Sequence, residues 1–296
     1  MICNKGDGAA TCKRGRFPAR FPLQMRLSLG LTVWFAFYVA LLCTQQPLSS
    51  QEKPMSERDY EREELGVNPY TAPSIARIFQ QLDELKPLPF DQLSRTFPQP
   101  SHTSREQMGM IFGALVADGF LLVECEKKDL VDGLGRILLQ HARSIGVADR
   151  VMRHSASLTE LGRRGEWSAM RKELMATQAD VEQAMVELRD QKMAHLISLG
   201  GWLRGLEISA GAVEADFSSE RAHVLLQPEL ANYFAEELKT LPPSIAHLPL
   251  FERIRAGINV IKIIINQTHP VGLSAAEVKK IHDEARELNL SIQRTG

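Results

Sequence analysis

MGMIFGALVADGFLLV, residues 108–123, is the longest apolar stretch in the body of this chain, and its reading decides the fold. Gly109, Gly113 and Ala117 recur every four residues, which makes one face of a helix smooth and lets a second helix approach it closely. Two readings fit: a membrane span, or the central helix of a water-soluble core. The run is short, and Asp118 sits inside it, where a carboxylate is costly in lipid. The second reading is therefore preferred. Asp118 is then either at an exposed edge or buried against a partner, and a buried, paired carboxylate is a site candidate.

The sequence around this run is helical in period almost throughout. Thr103 with Glu106, Ser157 with Glu160, and Ser274 with Glu277 each carry the spacing of a capping box. Val278, Ile281, Ala285 and Leu288 follow the third at helical steps, as do Phe251, Ile254, Ile258, Ile261 and Ile265 before it. Gly146 falls where a helix over 127–145 stops. Arg163, Arg164 and Gly165 mark a turn before Trp167. Trp167, Leu174, Val181, Leu188, His195 and Trp202 are spaced by seven, which predicts one long helix with a buried seam, interrupted at Gly200-Gly201. No strand pattern and no fixed-period repeat is present. The expectation is an all-α fold: an irregular bundle of about eight to nine helices over 101–296, preceded by a Pro-rich wrapping segment.

That preceding segment, 51–100, is charged from Ser56 to Glu64. It then holds six of the fifteen prolines between Pro69 and Pro100. One short helix fits between them, capped by Thr71, with Ile75, Ile78, Phe79 and Leu82 on one face and Pro87 and Pro89 ending it. Residues 88–100 are expected to be extended and to lie against the main body.

Ahead of all this, 1–50 has the layout of an export signal. An apolar run from Leu27 to Cys43 follows Lys13, Arg14, Arg16, Arg20 and Arg26 and precedes a polar stretch ending at Ser50. At 17 residues it is just short of a span of about 20. A cleaved signal is the preferred reading. An uncleaved anchor through 27–43 and a lipid anchor on Cys43 are the alternatives. Met25 begins a signal of more ordinary length than Met1. The expected location is the periplasm or the exterior, with membrane contact only through an uncleaved signal.

Residues 51–296 carry 29 basic and 35 acidic side chains, because six basic and only one acidic residue lie before Gln51. A net charge of −6 argues against a nucleic-acid partner, which needs a basic footprint. Cys125 is the only cysteine after Gln51, so no internal disulfide can form there, and it reads as an inert buried thiol. Asn266 and Asn289 begin glycosylation sequons, each weak as a signal.

Residues with chemistry are few. The string Gly200-Gly201-Trp202-Leu203-Arg204 combines free backbone with two typical recognition side chains. Asp118, Trp202 and Arg204 are therefore the ligand-binding candidates, with an inter-helix turn anchored by a core Trp as the simpler reading of 200–204. His141 and His195 each lie on an apolar face. They would make a metal or haem site only if they met, and neither has a Glu three residues ahead of it, as di-metal bundles do. Arg143, Arg150, Arg153 and His154 are spaced to gather an anion or simply to serve as helix charges. Phosphate loops, dinucleotide fingerprints and metalloprotease, nucleophile-elbow and EF-hand motifs are all missing. No catalytic residue, metal or cofactor is called for. The expected function is that of an exported, non-enzymatic envelope protein that binds a protein or small-molecule partner. An enzyme with dispersed residues, using Asp118 and a histidine, and a metal-binding bundle are the alternatives.

Overall fold

A computed structural model describes residues 76–99, 104–267 and 271–294, all helix and connecting turn with no strand among them. The proposed signal at 27–43, the charge cluster at 56–64, Thr71 and Ile75 lie outside the described residues. Nine helices of nine residues or more are present: α1 (Ala76–Glu84), α3 (Arg105–Glu124), α4 (Lys128–Ile145), α5 (Ala148–Arg164), α6 (Trp167–Glu187), α7 (Gln191–Ala215), α9 (Pro228–Glu237), α11 (Pro249–Ile265) and α12 (Ala275–Gln293). Three single-turn helices join them: α2 (Phe90–Leu93), α8 (Ser219–Ala222) and α10 (Pro243–Ala246). The all-α, multi-helix bundle read from the sequence is what forms.

The apolar run 108–123 lies within α3. Every residue of α3 from Gln107 to Glu124 is buried, so this helix is apolar all round because it has no solvent face. It is the only described helix long and apolar enough to cross a membrane, and 94% of that stretch is buried inside the protein. Its main partner is α7, likewise buried along most of its length.

Glycine sets the closeness of this pair. A Cβ on Gly113 would lie 1.8 Å from the Ile197 carbonyl oxygen, and one on Gly200 would lie 2.0 Å from that of Met110. Backbone meets backbone there, which only glycine on both helices permits. Gly200-Gly201 is therefore a packing surface and not a break: α7 runs through both residues. The interruption in the seven-residue seam falls earlier, at Leu188–Asp190, where the chain turns and Leu188 stands exposed.

From α3 the chain meanders through α4, α5 and α6, each packed on its neighbour and joined to it by a turn of two or three residues. Gly146 and Gly165 end α4 and α5 in the left-handed region (φ +86° and +72°). On α7 also packs α12, which meets α11, which meets α9. Phe251, Ile254, Ile258, Ile261 and Ile265 of α11, and Val278, Ile281, Ala285 and Leu288 of α12, are all buried, as their spacing predicts.

The capping signals divide. Ser274 and Glu277 form the full reciprocal box at α12. At α3 the cap is Ser104 and not Thr103: its side chain accepts from the Gln107 amide at 3.1 Å. Ser157 caps nothing, since α5 starts nine residues earlier at Ala148 and passes through it. Residues 88–99 lie against the bundle as expected, but Phe90–Leu93 closes one helical turn in place of an extended path.

Candidate functional site

Two of the three ligand-binding candidates meet, and they meet each other. Asp118 of α3 and Arg204 of α7 are both about 2% exposed. Arg204 donates from Nε to Asp118 Oδ1 at 2.8 Å, pairs through Nη1 with Glu207 Oε2 at 2.9 Å, and donates from Nη2 to the Leu93 carbonyl at 2.6 Å. The second Asp118 oxygen accepts two bonds from Arg95, at 3.0 and 2.8 Å. Asn289 of α12, buried, donates to Glu207 at 2.9 Å and to the Leu203 carbonyl at 3.1 Å. Two arginines face two carboxylates, so the group is neutral as a whole. It ties the 88–99 segment to α3, α7 and α12. Its partners are internal, and this makes it a structural lock rather than a ligand site. The sequon at Asn289 is likewise a core position.

Trp202, two residues before Arg204, projects elsewhere. It is buried and stacks on Phe234 of α9, centroids 5.0 Å apart and planes at 28°. Phe234 meets Tyr233 edge-on. The Tyr233 hydroxyl and His195 Nδ1 share a hydrogen bond of 2.7 Å, and His195 Nε2 lies 3.6 Å from Glu237. His195 and Glu237 border a cleft of about 320 Å³ between α7 and the end of α9, with Leu196, Leu199, Phe234 and Lys192 around them. Lys192 itself pairs with Glu106 at 3.2 Å.

His141 is in a different place. It is fully buried, and its Nε2 bonds the Pro98 carbonyl at 3.0 Å. Burial lowers its pKa, which keeps the ring neutral. The two histidines therefore serve separate neighbourhoods. Among the described residues, no group of three or more His, Cys, Asp or Glu could hold a metal ion. The chain has one Glu-x-x-His spacing, at Glu220 and His223. It falls on α8 and the 3₁₀ turn after it, with both residues exposed.

Of the four residues spaced to gather an anion, Arg143 stands exposed on α4, and Arg150, Arg153 and His154 of α5 are answered by the acids of α6. Arg153 and His154 both bond Asp180, at 3.1 Å each, His154 also bonds Glu173 at 2.8 Å, and Arg150 pairs with Glu187. These are helix-to-helix pairs, not an anion patch. Burial pushes the Cys125 thiol up to about 11, so it is protonated and unreactive at neutral pH.

A second, larger cavity contains none of the ligand-binding candidates read from the sequence, although Glu160, Arg163 and Leu174 line it. It lies among α3, α4, α5 and α6 and holds about 550 Å³, within the roughly 300–1,000 Å³ usual for small-molecule sites. Phe112, Val116, Leu134, Leu138, Met170 and Leu174 form its walls, and each is buried. Gly119 and Gly135 also line it: a Cβ on Gly119 would already touch Leu134 at 3.3 Å, whereas Gly135 faces open space. Nothing lies within 4 Å of where a Gly135 Cβ would stand. Two of the three hydroxyls on its wall are used locally: Thr177 donates to the Glu173 carbonyl and Ser155 to that of Met152, while Thr159 is the third. Asp132, Arg136, Glu160 and Arg163 stand at its edge. The sequence signal for this site was Gly135, a glycine inside an otherwise helical stretch with no turn to make. Comparison of the chain with protein families, curated proteins and solved structures finds no match in any of the three.

Proposed function

We propose that this protein is an exported, non-enzymatic helical module of the cell envelope that binds a small apolar ligand between α3, α4, α5 and α6. The observation that carries the reading is the cavity itself: about 550 Å³, walled by buried aliphatic and aromatic side chains, with two of its three hydroxyls, those of Ser155 and Thr177, already bonded. Such a space offers water too few partners and accepts an apolar occupant. Export rests on the basic-then-apolar order of 13–43 and the acidic body that follows it. Cell fractionation with intact mass of the product tests that part: a soluble species beginning near Gln51 supports it, and an uncut cytoplasmic chain refutes it.

Binding is tested with the neutral fluorophore N-phenyl-1-naphthylamine on delipidated protein. Gly135→Leu, which fills open space at the wall, is expected to weaken it at least tenfold while the helical circular dichroism is kept. Equal binding by both proteins would place the probe elsewhere and remove the basis of the reading. An enzymatic reading has one observation in its favour, the Tyr233–His195–Glu237 chain at the smaller cleft. Asp118 takes no part in it, because both its oxygens are held by arginines.

A further inference from the structure

The cavity also indicates what class of ligand it would hold, an inference that rests on the binding reading above. Its interior is apolar and its edge is charged, so the ligand must be apolar along its length and polar at one end. The four charges at the edge are not equivalent. Arg163 donates to Glu160 at 2.9 Å, and Glu160 also accepts from Arg164 at 2.8 Å, so these three charges are engaged with one another. Arg136 forms no ion pair among the described residues. It is exposed on α4, one position past Gly135, where the wall is open. Asp132 precedes it by one helical turn, also exposed. The two are not paired with each other, and a contact between two such solvent-facing groups would contribute little against an incoming anion.

Arg136 is thus the edge cation left for a head group, and a guanidinium binds a carboxylate through two parallel N–H bonds. Asp132 and Glu160 limit the charge of that head group, because two carboxylates nearby repel a dianion more strongly than a monoanion. A cationic head group would instead be repelled by Arg136. We propose that the ligand is a single-chain amphiphile with a monoanionic head, of the fatty-carboxylate class, its chain between α3, α4, α5 and α6 and its carboxylate on Arg136.

The test displaces the bound neutral fluorophore with dodecanoate, dodecanol, dodecyl phosphate, dodecyltrimethylammonium and inorganic phosphate. Dodecanoate is expected to displace it at roughly fivefold lower concentration than dodecanol. Dodecyltrimethylammonium should be weakest of the chain compounds, and inorganic phosphate should have no effect. Arg136→Gln should abolish the preference of dodecanoate over dodecanol, and Arg136→Glu should reverse it. Helical circular dichroism and the urea midpoint should match the parent in both variants, which shows that they fold. If the fluorophore binds but dodecanoate and dodecanol compete equally, the head-group assignment is overturned while the cavity reading stands. Stronger competition by dodecyl phosphate than by dodecanoate also overturns the monoanion assignment. Absence of fluorophore binding to the unmodified protein removes both readings.

Discussion

Adding one methyl group to a glycine should have opposite effects at Gly113 and Gly133, and the structure fixes both signs. A Cβ at Gly113 would stand 1.8 Å from the Ile197 carbonyl oxygen and 2.8 Å from the Gly201 amide nitrogen. Real Cβ contacts do not fall below 3.0 Å, so α3 and α7 must part by about 1.2 Å at that point. Both obstructing groups are backbone, so no rotamer change relieves the clash. Overpacking of cores generally costs about 1–3 kcal/mol, and an insertion between two helix backbones belongs at or above the top of that range. At Gly133 nothing lies within 4 Å of the new Cβ, the φ is ordinary for a helix, and Ala should stabilise α4 by up to about 1 kcal/mol. Gly109→Ala falls between them, because its nearest obstacle is the flexible Met193 side chain at 2.4 Å. Urea unfolding followed by circular dichroism at 222 nm gives the order directly: Gly133→Ala above the parent, Gly109→Ala slightly below it, Gly113→Ala lowest by about 3 kcal/mol. In thermal melts a loss of that size corresponds to roughly 6–12 °C. A Gly113→Ala protein as stable as its parent would refute the close backbone contact on which the α3–α7 pairing is built.

Other perturbations test other parts. Asp118→Asn removes the one charge shared by Arg95 and Arg204 and should destabilise by about 3–5 kcal/mol, read by the same urea titration. A loss under 1 kcal/mol would mean the lock is not formed. Burial pushes the Glu182 carboxyl up to about 7 from an ordinary 4.5. The folded state therefore holds this proton more tightly than the unfolded one, so stability falls as pH rises from about 4.5 to 7. Glu182→Gln should remove this dependence and raise stability at pH 8 by roughly 3 kcal/mol, and a parallel pH profile in the two proteins would contradict it. Cys125, held protonated, should react slowly with iodoacetamide at pH 8 and faster only as the pH approaches 11. Rapid labelling of the native protein at pH 7 would show that the thiol is not shielded.

Periodic apolar spacing made the helices legible, because a helix face buried on one side records its partner in the sequence. This held for α11 and α12, where each spaced residue is buried. It failed for the seven-residue seam, since heptads report which side is apolar but not where the axis turns. A break was expected at Gly200-Gly201 because isolated glycine pairs usually end helices, and these two instead serve a contact with Met110, about 90 positions away. The false start at Ser157 has a similar cause: a capping spacing is local, and α5 had already begun beyond Gly146. Asp118 and Arg204 were visible as unusual residues, but only tertiary contact reveals that each satisfies the other. The α3–α6 cavity left almost no trace, because a void is written in what side chains omit.

The lock at Asp118 sets an order of events for a chain made from one end. Arg95 and Asp118 are complete 86 or more residues before Arg204, the second arginine they require. At about 5–20 residues per second that interval is roughly 4–17 seconds. Through that time the most apolar helix of the body holds an incompletely neutralised carboxylate and has no α7 to pack on. A chain in this interval lacks the guanidinium that completes the group, so the lock can form only when α7 has emerged.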